Sequence, residues 1–311
     1  MLLIGGILSV VAVVRLGAQS SSLTRVSVDS NGVEANDDSF FPALSANGQI
    51  VGFKSLATYL DNPPPQQSQF DVFVHDESTG QTRRVSITSL GFLGNDNSFP
   101  PALDDGGDLV AYASQASNMV PNDNNGAADV FVRNRNASTT EAVSLTQAGM
   151  LPAAGGSRDL PPSMSADGNL VAFETTAILA ANDPNTDIAD VYVRDRQGQT
   201  TELISVRIET RDPQPALAPA ISGDGCAVVF VSPSNLIVPG GPTNGKLNLY
   251  VRNRCSDPET TELITIGFDG NPTTRDSQSS LFPPAISTDG NFIAFESDAN
   301  NLVPNDTNGV T

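Results

Sequence analysis

The chain has 311 residues, with 16 Lys and Arg against 35 Asp and Glu, a net charge of −19, and 39% hydrophobic residues. That charge excludes DNA or RNA as a partner, because a phosphate backbone needs a basic surface to displace its counterions. One histidine, two cysteines and no tryptophan leave little for a zinc site or a histidine-activated nucleophile, and 26 glycines with 22 prolines favour tight turns over long helices.

Residues 1–20 carry an apolar run from Leu2 to Val14, too short for a stable membrane span. Small residues at Gly17 and Ala18 fit a secretory signal, but the usual basic start is absent and Arg15 follows the run. The same stretch also fits the repeat described next, with Val11–Arg15 as a third strand and Thr24–Val28 as a fourth. Four readings stand: strands that close the last repeat within the chain, a signal peptide plus one spare strand, donor strands that complete a neighbouring molecule's last repeat, or a fragment of a longer array. The expected division is an N-terminal apolar segment at 1–23 and a repeat domain at 24–311.

Five segments align about every 60 residues: Pro42–Phe53, Pro101–Tyr112, Pro162–Phe173, Pro219–Phe230 and Pro284–Phe295. Each of the first four is followed by a block such as DVFVRN, at Asp71–Asp76, Asp129–Asn134, Asp190–Asp195 and Asn248–Asn253. A third block follows at Arg83–Ile87, Glu141–Leu145, Glu202–Val206 and Glu262–Ile266. Each unit therefore predicts four strands, a to d. Strand a runs into an Asn-Gly, Gly-Gly or Asp-Gly turn, which supplies the positive φ of a tight hairpin. Strand b is continuously apolar, as in Leu170-Val171-Ala172-Phe173, so both its faces are covered. Repeated four-stranded antiparallel units with two buried faces are β-propeller blades. The expected fold is an all-β propeller of five four-stranded blades. The last unit ends after strand b and its loop, and the N-terminus supplies its c and d strands, in cis or from a neighbouring subunit.

The b–c loops are acidic. The second carries Asp123, Asn125 and Asp129, the third Asp183, Asn185, Asp187 and Asp190, and the fifth Asp306 and Asn308. Oxygen donors at alternate positions with a glycine resemble the first half of a calcium loop, though no bidentate Glu follows. Two readings stand: bound Ca2+, or metal-free turns in which Asp and Asn bond local amides. The fourth loop has Gly241 and Asn248 at the positions of Asp123 and Asp129 and is expected to hold no cation.

Cys226 and Cys255 replace polar residues at the start of strand b and just after strand c of the fourth unit. Those positions lie side by side in an antiparallel pair, which predicts a disulfide and an oxidising compartment: secreted, cell-surface or periplasmic. Asn136 and Asn305 head glycosylation sequons. His75 aligns with arginines of strand c and reads as structural. Asp104 stands where the other units have Ser45, Ser165, Ser222 and Ser287 and reads as turn chemistry.

The pattern Ser-Ala-Asp-Gly-x-x-Val-Ala-Phe, then Val-Pro-Asn-Asp-x-Asn-Gly-x-x-Asp-Val-Phe-Val-Arg, is clearest at Ser165–Phe173, Pro121–Arg133 and Asn301–Gly309. It resembles the TolB-type, WD-repeat-like β-propeller proteins of bacterial envelopes and secretions. The first and fourth loops depart from it. The resemblance implies binding and scaffold modules more than a defined activity. No catalytic set is nominated and the chain is expected not to be an enzyme. The expected function is an extracellular or cell-surface scaffold that binds a protein partner or itself, with a head-to-tail filament built by strand exchange. The alternatives are a periplasmic TolB-like protein-binding propeller and a propeller hydrolase working through carboxylates.

Overall fold

A computed structural model describes residues 12–16, 21–61, 68–157, 160–183, 188–207, 209–210, 212–277 and 283–306. The described residues form twenty strands and no helix. Contacts divide the chain into two compact units, Met1–Asp123 with Phe131–Glu141, and Asn124–Val130 with Ala142–Thr311.

In the first unit, β1 (Ala12–Leu16) and β2 (Ser21–Arg25) pair as a two-stranded antiparallel sheet. A four-stranded sheet follows in chain order: β3 (Ser39–Leu44), β4 (Ile50–Ser55), β5 (Asp71–Asp76) and β6 (Gln81–Arg84). The next four-stranded sheet holds β7 (Ala102–Leu103), β8 (Leu109–Ser114), β9 (Asp129–Asn134) and β10 (Thr139–Ala142). The second unit carries the third sheet, β11 (Ser163–Met164), β12 (Leu170–Thr175), β13 (Asp190–Asp195) and β14 (Thr200–Leu203). The fourth is β15 (Leu217–Ile221), β16 (Ala227–Ser232), β17 (Asn248–Asn253) and β18 (Thr260–Leu263). A two-stranded sheet of β19 (Ala285–Ile286) and β20 (Ile293–Ala294) follows. Among the described residues there are thus four complete blades of a β-propeller and two half-blades.

The a–b turn shows why the repeat folds as it does. Ser165 Oγ accepts from the Leu170 amide at 2.9 Å and donates to Asp167 Oδ1 at 2.6 Å, while Gly168 takes φ +67°. Ser45, Ser222 and Ser287 make the same pair of bonds. At Gly107, φ is +71° and an added Cβ would fall 2.6 Å from Ile50, so only glycine fits where the second blade's turn meets the first blade.

Strand b serves two cores, as its continuous apolar run predicts. Val228 and Phe230 of β16 join a cluster with Ala172, Val191 and Ile204 of the third blade. Val229 and Val231 point the other way, into a cluster packed by Ile286, Ile293 and Phe295. Burial of about ten such side chains, at roughly 1.5–3 kcal/mol each, is what holds blade to blade.

Strand d lies earlier than expected. Its ladder covers Gln81–Arg84 rather than Arg83–Ile87, and the other three units shift likewise. The cause is a local irregularity, in which the amides of Val85 and Ser86 both bond the Val72 carbonyl, at 2.8 and 3.4 Å. The Val-Ser pair thereby leaves the ladder and turns toward the next blade. The N-terminal strands show the same offset, with β2 at Ser21–Arg25 and Val28 bridged to Glu34.

Candidate functional site

The acids that open strand c are pins within each blade. Ser86 donates to Asp71 at 2.8 Å, Ser144 to Asp129 at 2.7 Å and Ser205 to Asp190 at 2.9 Å. Each serine in turn accepts an amide of strand c, from Val72, Val130 and Val191. Asp71 also lies 3.2 Å from Arg84 Nε, both side chains almost fully buried. Burial pushes the Asp71 carboxyl up, and the Arg84 charge opposes it. Asn248 takes the same place in the fourth blade, facing Thr265 at 3.4 Å.

A second row links neighbouring blades. His75 Nδ1 lies 2.8 Å from Thr82 Oγ1, and Arg133, Arg194 and Arg252 donate to Thr140, Thr201 and Thr261 at 3.1, 3.0 and 3.0 Å. The threonine hydroxyls then donate across to the preceding strand-d exit: Thr82 to Val28 at 2.5 Å, Thr140 to Ile87 at 2.5 Å and Thr201 to Leu145 at 2.6 Å. His75 is therefore structural, as expected. Burial holds its pKa below the usual value, against the pull of Glu77 and Asp76.

Asp104 uses its carboxylate as the other units use serine, accepting from the Leu109 amide at 2.9 Å. Burial raises its pKa; the Leu109 bond lowers it and neighbouring Asp108 raises it further. An open depression in the second unit is lined by Gln147, Asn182, Thr200, Thr201 and Glu202. Its carboxylate, Glu202, pairs with Arg254 at 2.8 Å.

The acidic loops are placed individually. Asn125 Nδ2 donates to Asp129 Oδ2 at 2.8 Å and its Oδ1 accepts from Ala127 at 3.0 Å. The fourth loop, which lacks the acids, repeats that turn with amides: Lys246 N donates to Asn244 at 3.0 Å, and Asn248 Nδ2 donates to Asn244 Oδ1 at 3.2 Å. Asp183 accepts from Tyr192 OH at 2.5 Å and, like Asp123, is buried. Asp306 follows Asn305, which has φ +65°. Asn185, Asp187 and Asn308 lie outside the described residues. Among the described residues no group of three His, Cys, Asp or Glu side chains is placed to hold a metal ion.

Cys226 and Cys255 form a disulfide with a Cα–Cα distance of 5.1 Å. It ties the start of β16 to the end of β17, where Ala227 and Asn253 are opposite. Asn136 and Asn305 are both exposed.

Both two-stranded sheets are antiparallel hairpins. In β1–β2, Arg15 is opposite Ser22, and Leu23, five residues before Val28 as Thr201 is five before Val206, is opposite Val14; in the complete blades Arg194 is opposite Thr201 and Arg252 opposite Thr261. In β19–β20, Ala285 is opposite Ala294, as Ser163 is opposite Ala172. The burial of β19–β20 differs sharply from that of complete blades. Ala172 is fully buried whereas Ala294 is exposed, and Phe292 is 75% exposed. Ile266, at the strand-d exit of the fourth blade, is 49% exposed where its counterpart Val206 is 1%. Exposure of the β20 position was not legible in the sequence, because Pro284–Phe295 carries the same apolar pattern as the buried repeats.

No known family model and no curated protein matches the sequence. Among solved structures, TolB from Acinetobacter baumannii is similar at 12% identity and a TM-score of 0.49, over 89% of this chain and 57% of that one. A putative TolB from Agrobacterium tumefaciens is similar at 14% identity and a TM-score of 0.49, over 88% and 73%. An oligogalacturonate lyase in complex with manganese is similar at 9% identity and a TM-score of 0.44, over 82% and 60%. The chain thus spans a little over half the length of the Acinetobacter protein.

Proposed function

We propose that this chain is a non-enzymatic, exported scaffold that joins copies of itself through its terminal half-blades. The observation that carries the reading is the exposure of β20, whose counterparts β8 and β12 are covered on both faces. An exposed strand edge is a template for pairing with another chain. The disulfide supports an oxidising location, secreted, surface or periplasmic. The buried acids of strand c serve as blade pins, and Asp104 is a turn residue, which supports a structural role over carboxylate catalysis. In this reading the second acidic loop is a turn that needs no cation.

Electron microscopy and light scattering across a concentration series test the proposal. Particles that lengthen with concentration support it. A protein that stays monomeric at every concentration overturns the assembly reading and leaves a propeller that binds a foreign protein. Glycan or peptide turnover that is lost in Asp104→Asn overturns the non-enzymatic one.

A further inference from the structure

We propose that the outer strand of the fourth blade, β18, is a docking edge for an extended, lysine- or arginine-bearing strand of another protein, which pairs with the outward backbone groups of Thr261 and Leu263. β18 belongs to a complete blade, so the site does not depend on the joining of half-blades.

Strand d is the outer edge of every complete blade, and in the first three blades a side chain from the preceding strand-d exit caps that edge. Ser30 Oγ accepts from the Thr82 amide at 3.1 Å and donates to the Thr82 carbonyl at 3.2 Å. Ser89 does the same to Thr140, at 2.8 and 3.2 Å. Gln147 donates to the Thr201 carbonyl. In the first blade Asp61 also takes the Arg84 amide, at 2.8 Å. Each of the three caps lies two residues after its exit, at Val28, Ile87 or Leu145. Two residues after Val206 the sequence has Ile208, outside the described residues, whose side chain has no polar atom to offer. That loop is also one residue longer. The Arg207 amide bonds the carbonyl of Asp212, five residues on, where Asp29, Thr88 and Thr146 bond a carbonyl four residues on.

The consequence falls on Thr261. It is opposite Arg252 as Thr82 is opposite His75 and Thr201 opposite Arg194, so its N–H and C=O face away from β17 in the same register. Among the described residues no hydrogen bond reaches it from the loop after Val206. Its hydroxyl accepts from Arg252 at 3.0 Å and makes no latch to the Val206 carbonyl. Thr82, Thr140 and Thr201 are buried, whereas Thr261 and Leu263 are both partly exposed. An edge with unpaired donors and acceptors takes up an extended segment, the main chain giving affinity and alternate side chains specificity. The side chains of β18 and its hairpin set the partner. Glu259 is held by Arg252 and Glu202 by Arg254, but the exposed Asp257 and Glu262 are in no ion pair among the described residues. The added strand therefore carries lysine or arginine on the face beside Glu262, and small or apolar residues on the face beside Thr261 and Leu263. The net charge of −19 steers such a cationic segment inward.

The probe is a blocked peptide of alternating lysine and valine, about eight residues long, with its glutamate–valine twin as control. In the full chain, saturating lysine peptide should slow amide exchange at Thr261 and Leu263 at least tenfold and leave the capped Thr140 amide unchanged. The glutamate twin should do neither. Glu262→Lys keeps the edge and reverses the charge beside it, and should weaken the lysine peptide at least threefold in fluorescence anisotropy. Absence of binding overturns the proposal. So does binding that leaves the Thr261 and Leu263 amides unslowed, since the peptide is then adsorbed on acidic surface elsewhere. Equal protection by both peptides, or an unchanged affinity in Glu262→Lys, overturns the basic partner. Slowing at Thr261 that rises with protein concentration in the absence of peptide overturns the foreign occupant and makes this edge a contact between copies.

Discussion

Asp104 and Ser165 do the same work with different chemistry: each accepts the amide that closes the a–b turn, at 2.9 Å. The serine does so without a charge, whereas burial disfavours the Asp104 carboxylate and raises its pKa. We expect Asp104→Ser to stabilise the protein by about 0.5–1 kcal/mol at neutral pH. The gain should shrink in acid, where Asp104 takes up its proton and loses the desolvation penalty; chemical denaturation at pH 7 and pH 4 checks both points. His75 gives a second handle. Burial lowers its pKa from 6.5, so the unfolded chain binds the proton first as pH falls. The stability owed to the neutral ring is complete above pH 6.5 and declines below it, until the folded-state pKa is passed. His75→Gln should flatten the melting profile between pH 7 and pH 5, by on the order of 2 °C at the acid end; an unchanged slope would remove His75 from the account. Both roles were legible in the sequence, because alignment with the serines and arginines of sibling units shows what each residue replaces. The pinning of Asp71, Asp129 and Asp190 by serines was not legible. The serine lies at the exit of the adjacent strand, 15 residues on, and its distance depends on the offset of strand d.

At the scale of elements, the repeat fixed the strand count, the a–b turn and the doubly covered strand b. It misplaced strand d by about two residues, since the alternation of Val-Ser-Val suits a ladder. The structure sends those residues out of the ladder through the paired amides at Val72. The acidic loops divide the same way. Their oxygens suit calcium by spacing, yet Asn125 and Asp129 bond each other and local groups, and Asn244 repeats the turn beside a neutral Asn248. We expect the melting temperature to be the same in millimolar calcium and in EDTA. A rise with calcium would assign these loops as cation sites. The disulfide is the other device of the fourth blade, bridging residues 29 apart in sequence. Closing a loop of that size restricts the unfolded chain by an amount worth about 2–4 kcal/mol. Cys226→Ser with Cys255→Ser should lose that much in denaturant titrations. A loss below about 0.5 kcal/mol would mean that the bridge adds little beyond the packing already present.

For the whole molecule, the N- and C-terminal strands carry complementary parts of one repeat. Strands 12–25 form one hairpin, and strands 285–294 form another in the a–b register of a complete blade. A net charge of −19 sets copies against each other at long range. In the proposed assembly the apolar strand edge and its backbone bonds would have to dominate at contact. The most direct measurement is a cryo-EM reconstruction of the concentrated protein. We expect filaments whose every joint holds a four-stranded blade, two strands from one copy and two from the next. Separate particles, with strands 12–25 and 285–294 of the same chain in one blade or in no shared blade, would contradict it.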